Sequence, residues 1–299
     1  LSRYDAIASR FRKEQREDTN HDGTVDTVTY FDPQNAIDRQ EADLDGNETF
    51  EVISIYEAGA LSRVETDSNG DGKADRVAYF EPGVEQASGI EQDHDFDGSV
   101  EARVQLEGGV ALKQELDTNA DGQSDRFLEL DDVGRVLLQQ DDTDGDGKPG
   151  LTVRFDPETE QPIEQIADSD GDGKPNRITR LEAGVPREVQ EDSNGTGCLD
   201  RKQIFDADRQ LVQDESDTNG DCVSDTFVYF EGGKVSRREI DTNKNKVVDL
   251  WEYYDGDRKI VQAVARGRCS RPNIAFFFGA DGQTIEVQEE DQNCNGSPD

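Results

Sequence analysis

Asp117-Thr118-Asn119-Ala120-Asp121-Gly122-Gln123-Ser124-Asp125 is the stretch that decides the fold, because its pattern returns along the whole chain. Side-chain oxygens stand at positions 1, 3 and 5 of the run, glycine follows at 6, and an acid closes it at 9. Alternating carboxylates and carboxamides around a sharp glycine turn make a nest of oxygens suited to a hard cation. Full or degenerate copies start at residues 18, 41, 67, 93, 117, 142, 168, 192, 217, 241 and 291. The step is close to 25 residues, except for a double step after 241, where the skipped copy falls near Arg266 and keeps no acidic ligand. A fixed period of this size marks a repeat array in which each unit buries its apolar face against its neighbours. Residues 1–299 are therefore expected to form one domain, with first and last units incomplete.

Candidate metal ligands follow from the register. They are Asp18, Asn20, Asp22 and Asp26; Glu41, Asp43 and Asp45; Asp67, Asn69, Asp71 and Asp75; and Asp93, Asp95, Asp97 and Glu101. Further along come Asp117, Asn119, Asp121 and Asp125; Asp142, Asp144 and Asp146; and Asp168, Asp170 and Asp172. The last two sets are Asp217, Asn219, Asp221 and Asp225, and the asparagine-rich Asp291, Asn293, Asn295 and Asp299. Two copies look damaged. Thr196 removes an oxygen from the loop at 192, and Lys244 and Lys246 flank Asn245 in the loop at 241, where a lysine is expected to take the cation's place. Extra ligands are sought in the Glu two residues before a loop (Glu65, Glu91, Glu115, Glu215), or at position 15, as in Asp32, Asp131, Asp156 and Asp206. The latter set reads better as turn chemistry, since Asp commonly opens a hairpin turn. Calcium fits better than magnesium, because six or more oxygens in a flexible loop suit the larger ion. Roughly eight to ten ions are expected.

Composition agrees with a chain organised around cations. Lys+Arg 32 against Asp+Glu 69 gives a net charge of −37, with only 32% apolar residues. Such values alone would argue for disorder; here the acids recur at fixed positions. Nucleic-acid binding is excluded by sign, since phosphate contacts need clustered Lys and Arg. No apolar run approaches the roughly 20 residues of a membrane span. The chain has no methionine and opens at Leu1 with no apolar leader, which suits a processed or trimmed product.

Between the loops lie segments such as Val28-Thr29-Tyr30-Phe31 and Phe227-Val228-Tyr229-Phe230, rich in residues that fit a pleated surface. Turn signals follow at once, as in Glu81-Pro82-Gly83 and Glu231-Gly232-Gly233, and a second strand returns to the next loop. The expected fold is all-β. About twelve units of loop, strand, turn and strand join edge to edge as an elongated twisted antiparallel ribbon or superhelix with the loops along one edge; a β-solenoid is the alternative.

The loop is similar to the first half of an EF-hand, but position 12 holds Thr29, Ala78, Leu128, Val153 or Thr179 where the bidentate Glu belongs. With no flanking helix, an EF-hand and a dockerin are both ruled out. The loops more closely resemble thrombospondin type 3 calcium repeats and related bacterial calcium-loop arrays, which also place an acid at position 9. The hairpins resemble the aromatic units of YD-type bacterial surface and toxin shells. These resemblances imply calcium and an extracellular setting.

Four cysteines fall inside loops in two pairs, each one period apart: Cys198 with Cys222, and Cys269 with Cys294. Disulfides between neighbouring units are expected, stapling places where calcium ligation is damaged. Equivalent loops of a flat ribbon lie about 10 Å apart, farther than a disulfide spans, so the loop edge must curve there or the solenoid holds. His21 and His94 sit at non-ligand loop positions and no nucleophile–base pair can be placed, so an enzyme is not expected. The chain reads as a secreted or cell-surface structural or adhesive protein rigidified by calcium. The alternative is a calcium-dependent module that recognises a polysaccharide or a protein partner. Tyr4-Asp5 and Phe11–Glu17 read as strand pieces that would complete the truncated last unit of another copy, giving a head-to-tail filament; the equal alternative is a longer array trimmed at these points.

Overall fold

The computed structural model describes residues 13–267, 269 and 271–299; the expected strand residues Tyr4, Asp5, Phe11 and Arg12 lie outside them. The chain divides into two compact units, Leu1–Gly147 and Lys148–Asp299. The first holds β1 (Lys13–Glu17), β2 (Thr27–Phe31), β3 (Ile37–Ala42), β4 (Val52–Glu57), β5 (Ala60–Thr66), β6 (Arg76–Phe80), β7 (Ala87–Gln92), β8 (Ala102–Glu107), β9 (Val110–Leu116), β10 (Arg126–Leu130) and β11 (Val136–Asp141). The second holds β12 (Leu151–Phe155), β13 (Pro162–Ala167), β14 (Arg177–Glu182), β15 (Val185–Glu191), β16 (Arg201–Phe205), β17 (Leu211–Ser216), β18 (Thr226–Glu231), β19 (Lys234–Ile240), β20 (Leu250–Asp255), β21 (Arg258–Val264), β22 (Ile274–Phe278) and β23 (Ile285–Glu290).

Within each unit every strand pairs antiparallel with the next in sequence, giving an open meander. Connections therefore alternate between the two ends of the strands. Tight turns lie along one edge, and the acidic loops join the hairpins along the other, as the ribbon reading expects. Among the described residues no helix is long and apolar enough to cross a membrane.

Each described hairpin breaks register one or two residues before its turn: Phe31, Tyr56, Phe80, Leu106, Leu130, Phe155, Leu181, Phe205, Phe230, Tyr254 and Phe278. This is position 14 of every unit, always aromatic or leucine. A bulge there inserts an extra residue and sharpens the local right-handed twist. Acids at position 15 then organise the turn. Asp131 Oδ1 accepts the Val133 and Arg135 amides at 3.0 and 2.8 Å, and Asp206 Oδ1 those of Asp208 and Gln210, both at 2.9 Å. These residues are turn formers, as expected.

Apolar burial is sparse. Among the described residues the buried apolar ones are Val28, Ala78, Ala102, Val153, Val189, Ala263 and Ile274, and no large side chain is fully buried. Among the described residues ten aspartates are buried, all in the loops: Asp26, Asp43, Asp75, Asp93, Asp117, Asp200, Asp217, Asp225, Asp241 and Asp291. Across the strands, polar pairs cover the pleat, such as Tyr79 Oη donating to Glu91 at 2.8 Å and Arg126 bridging Asp141 at 2.7 Å. Half-exposed pairs of this kind contribute little each. What orders the chain must lie at the loop edge.

In the turn before β23, Asp281 accepts the Thr284 hydroxyl and the backbone amides of Thr284 and Gln283, which hold its carboxyl down at about 2. A carboxyl whose pKa is depressed by folding stabilises the fold fully above its ordinary 3.8, and that contribution is lost as pH falls toward about 2. Hydrogen exchange of β22–β23 should rise across this window, and Asp281→Asn should flatten the response; identical profiles for the two proteins would refute it.

Candidate metal loops

The loops build themselves from their own carboxylates. In most loops the aspartate at position 1 takes one backbone amide on each oxygen, from residues 4 and 6; in those at 192, 241 and 291 the amides come from residues 5 and 6. Asp67 accepts Gly70 and Gly72, both at 2.8 Å, Asp93 accepts Phe96 and Gly98 at 2.7 and 2.8 Å, and Asp142 accepts Gly145 and Gly147 at 2.8 Å. Aiming both amides inward requires left-handed backbone at both residues, an anion-binding concavity of alternating conformation. Position 6 is usually glycine, as at Gly122 (φ +89), but position 4 also holds His21, Phe96 and Ala120 with φ of 66, 65 and 59. The second left-handed site is therefore hidden from a reading that looks for glycine.

Position 9 is a clamp. Asp26 Oδ2 accepts the Thr19 amide and hydroxyl at 2.9 and 2.8 Å and the Asn20 amide at 3.1 Å. Asp75 repeats this with Ser68 and Asn69, and Glu101 reaches the His94 amide at 2.7 Å. Asn176 does the same for Ser169 and Asp170 in the loop at 168 with no charge. Each loop is also hooked to the preceding one. The amide of position 1 donates to the carbonyl of the previous position 9, as in Asp43 to Asp26 at 2.9 Å and Asp93 to Asp75 at 2.7 Å.

This geometry corrects the register of the second loop. Asp43, not Glu41, occupies position 1: its oxygens take the amides of Gly46 and Glu48 at 2.7 and 2.8 Å. Asp45 is then position 3, Asn47 position 5, and Glu51, which the sequence reading missed, position 9, accepting the Leu44 amide at 2.8 Å. Glu41 lies on β3, bridged by Arg39 at 2.7 Å and reached by Tyr30 Oη. The misreading arose because Gly46 fills position 4, while Glu48 takes the left-handed position 6 at φ 68. Restarted at 43, the steps on either side become 25 and 24 residues. The Glu residues two before a loop are likewise strand partners: Glu65 pairs with Arg63 at 2.8 Å, and Glu91 takes the Tyr79 hydroxyl.

Among the described residues, ligand-type oxygens converge in four all-acidic groups, each with its atoms within 4.8 Å of one another: Asp93, Asp95, Asp97 and Glu101; Asp43, Asp45 and Glu51; Asp142, Asp144 and Asp146; Asp168, Asp170 and Asp172. The loops at 18, 67 and 117 share the same backbone cage with Asn at position 3. Asp22 is held below the usual carboxylate range by the Thr24 hydroxyl and amide, Asp26 by the Thr19 hydroxyl, and Asp142 by the Gly147 amide, each against the opposing pull of desolvation. Two oxygens in these loops are buried with no hydrogen-bond partner, Asp26 Oδ1 and Glu51 Oε1. Buried acceptors are almost always satisfied, and these carboxylate and carboxamide oxygens are of a kind that could hold a hard cation.

The loops of the second unit differ. In those at 241 and 291 the position-3 carboxamide donates to the position-9 acid, Asn243 to Asp249 and Asn293 to Asp299, and consumes an oxygen a cation would need. Both expected disulfides are present, Cys198–Cys222 with Cα atoms 5.6 Å apart and Cys269–Cys294 at 5.7 Å. The ribbon accommodates them because loop tips lean onto their neighbours. Lys148 Nζ donates to the Gly171 carbonyl at 3.2 Å, and a Cβ on Gly98 would stand 2.9 Å from Lys73 Nζ. Strand spacing applies to strand ends, not to these tips.

No family model matches the chain, and no curated protein matches it. Among solved structures, the Tc holotoxin pore of Photorhabdus luminescens aligns with 93% of this chain and 16% of its own, at 12% identity and a TM-score of 0.19. A crystal structure of TcdB2–TccC3 aligns with 93% of this chain and 17% of its own, at 12% identity and a TM-score of 0.19. The chain thus spans about a sixth of the length of these solved chains, and scores of this size establish no common fold.

Two substitutions test the loop construction. Asp75→Asn should leave the first unit intact, because Asn176 already does this task with one carboxamide oxygen, whereas Asp75→Ala should cost about 1–3 kcal/mol by stranding the Ser68 and Asn69 amides. Gly122→Ala meets no atom within 4 Å, so its cost of about 1–2 kcal/mol is conformational alone. Denaturation midpoints measure both. Equal loss for the two Asp75 variants would remove the clamp.

Proposed function

We propose that this chain is a calcium-loaded structural repeat protein of the extracellular space or cell surface, non-enzymatic, whose loop edge is rigidified by the ion. The observation that carries the reading is Asp26 Oδ1, an oxygen with no partner on a residue only 6% exposed, at the closing position of a loop already rich in carboxylates. Seven loops, starting at 18, 43, 67, 93, 117, 142 and 168, carry side-chain oxygens at positions 1, 3 and 5, and in those at 43, 93, 142 and 168 the acidic ligand atoms lie within 4.8 Å of one another. Cation-free, two carboxylates 4.8 Å apart repel by about 1 kcal/mol in water and several times that at lower effective dielectric. Calcium at extracellular, millimolar levels fills even modest sites of this kind, and its binding free energy becomes folding free energy. Two disulfides agree with an oxidising compartment.

The test is calcium titration of the metal-stripped full chain, followed by equilibrium dialysis, circular dichroism and small-angle scattering. About seven ions should bind per chain, with a fall in radius of gyration. Asp26→Asn, which keeps the clamp but removes the free anionic oxygen, should lower the affinity of one site by tenfold or more, since ligand charge count tunes such sites. An identical compact scattering profile with and without chelator, and no binding at millimolar calcium, would overturn the reading.

A further inference from the structure

The loop at 217 has the full set of side-chain oxygens, Asp217, Asn219 and Asp221, with the position-9 acid Asp225. By ligand count it should resemble the loop at 18. Its surroundings are different. Lys244 Nζ, from the next loop, lies 2.7 Å from Asp225 Oδ2 and donates to Thr218 Oγ1 at 2.8 Å; Lys246 Nζ, from the same loop, lies 3.8 Å from Asp221 Oδ2. Asp225 is 2% exposed, yet both its oxygens are partnered, Oδ1 by the hydroxyls of Thr218 and Thr226 and Oδ2 by Thr218 and Lys244. In the loop at 18 the corresponding Asp26 Oδ1 has no partner. Position 6, glycine in most loops, is Cys222, bonded to Cys198 of the preceding loop.

We infer that the loop at 217 is a cation-independent joint, in which Lys244 and Lys246 supply the positive charge that calcium supplies elsewhere and Cys198–Cys222 ties it to the loop before. The sequence points to a lysine taking the cation's place in its own loop at 241; the geometry sends both lysines back onto the loop at 217. Lys73 also crosses between loops, where it lies against Gly98 and, after the Ser99 amide, its charge helps lower the pKa of the Asp97 carboxyl, but in that loop position 6 is glycine, with no covalent tie. A buried carboxylate with an ammonium at hydrogen-bond distance has its charge compensated locally, and a divalent ion entering beside that ammonium would meet repulsion. The array is then divided into calcium-dependent hairpins and a stretch around β17–β18 that holds its form when calcium falls.

This inference rests on the calcium reading, and one experiment separates their failures. Hydrogen exchange is followed on the full, disulfide-intact chain in millimolar calcium and in chelator, comparing β2–β3 with β17–β18. Exchange in β2–β3 should rise by about tenfold or more in chelator, while β17–β18 changes by less than about threefold. The Lys244→Gln/Lys246→Gln double variant should make β17–β18 chelator-sensitive and raise bound calcium by about one ion per chain. If β17–β18 opens together with β2–β3 in the parent protein, the joint is overturned and the calcium reading stands. If neither hairpin responds to chelator, the calcium reading falls and the joint falls with it.

Discussion

Everything at the loop edge depends on one requirement: nine residues of irregular backbone must satisfy their amides within a few ångströms, and the chain does it with carboxylates. Position 1 takes the amides of residues 4 and 6, and position 9 takes those of residues 2 and 3, as Asp67 and Asp75 do in one loop. An amide stranded away from water costs about 1–3 kcal/mol, so these acids are structural before any ion is considered. Their arrangement also gathers negative charge, with ligand oxygens within 4.8 Å of one another in the all-acidic loops. The same residues thus create order and a repulsion that a cation relieves.

The strands contribute less than their number suggests. With seven buried apolar residues among those described, none of them aromatic, burial at about 25 cal/mol per Å² has little area to act on. The meander is held by ladder hydrogen bonds, by cross-strand pairs such as Tyr79 with Glu91, and by the hook from each position-1 amide to the previous position-9 carbonyl. That hook makes neighbouring loops share a backbone bond, so order in one loop supports order in the next. Stability in such an array is a sum of unit and nearest-neighbour terms.

Much of this was legible in the sequence, and the gaps have physical causes. The period, the hairpins, the turn acids and both disulfide pairings follow from spacing. The bulge at position 14 has a signature, an aromatic residue or leucine before every turn, that a reading for alternation passes over. Loop register failed once, at Glu41, because glycine was taken as the mark of position 6 when two positions per loop need left-handed backbone. Spacing also gave no warning that Lys244 points back to Asp225, since side-chain reach between loops is set by how the tips lean.

That lean gives one contact several chemical solutions. Position 7 of one loop meets position 6 of the next: Lys73 lies against Gly98, Lys174 against Gly197, and Cys198 is bonded to Cys222. A lysine there offsets acid charge at long reach, while a cysteine pair fixes the spacing covalently and limits the unfolded chain. The second bond joins neighbouring positions, Cys269 to Cys294, across a unit with no acid at position 1, where Ala265 stands and Asn273 serves as the clamp for Arg266. Covalent bonds therefore appear where the carboxylate cage is altered, at Thr196 and Cys222 and again at Ala265. A chain with so little apolar core can lose a carboxylate cage only where something else fixes the distance between neighbouring tips, and the four cysteines stand at such places.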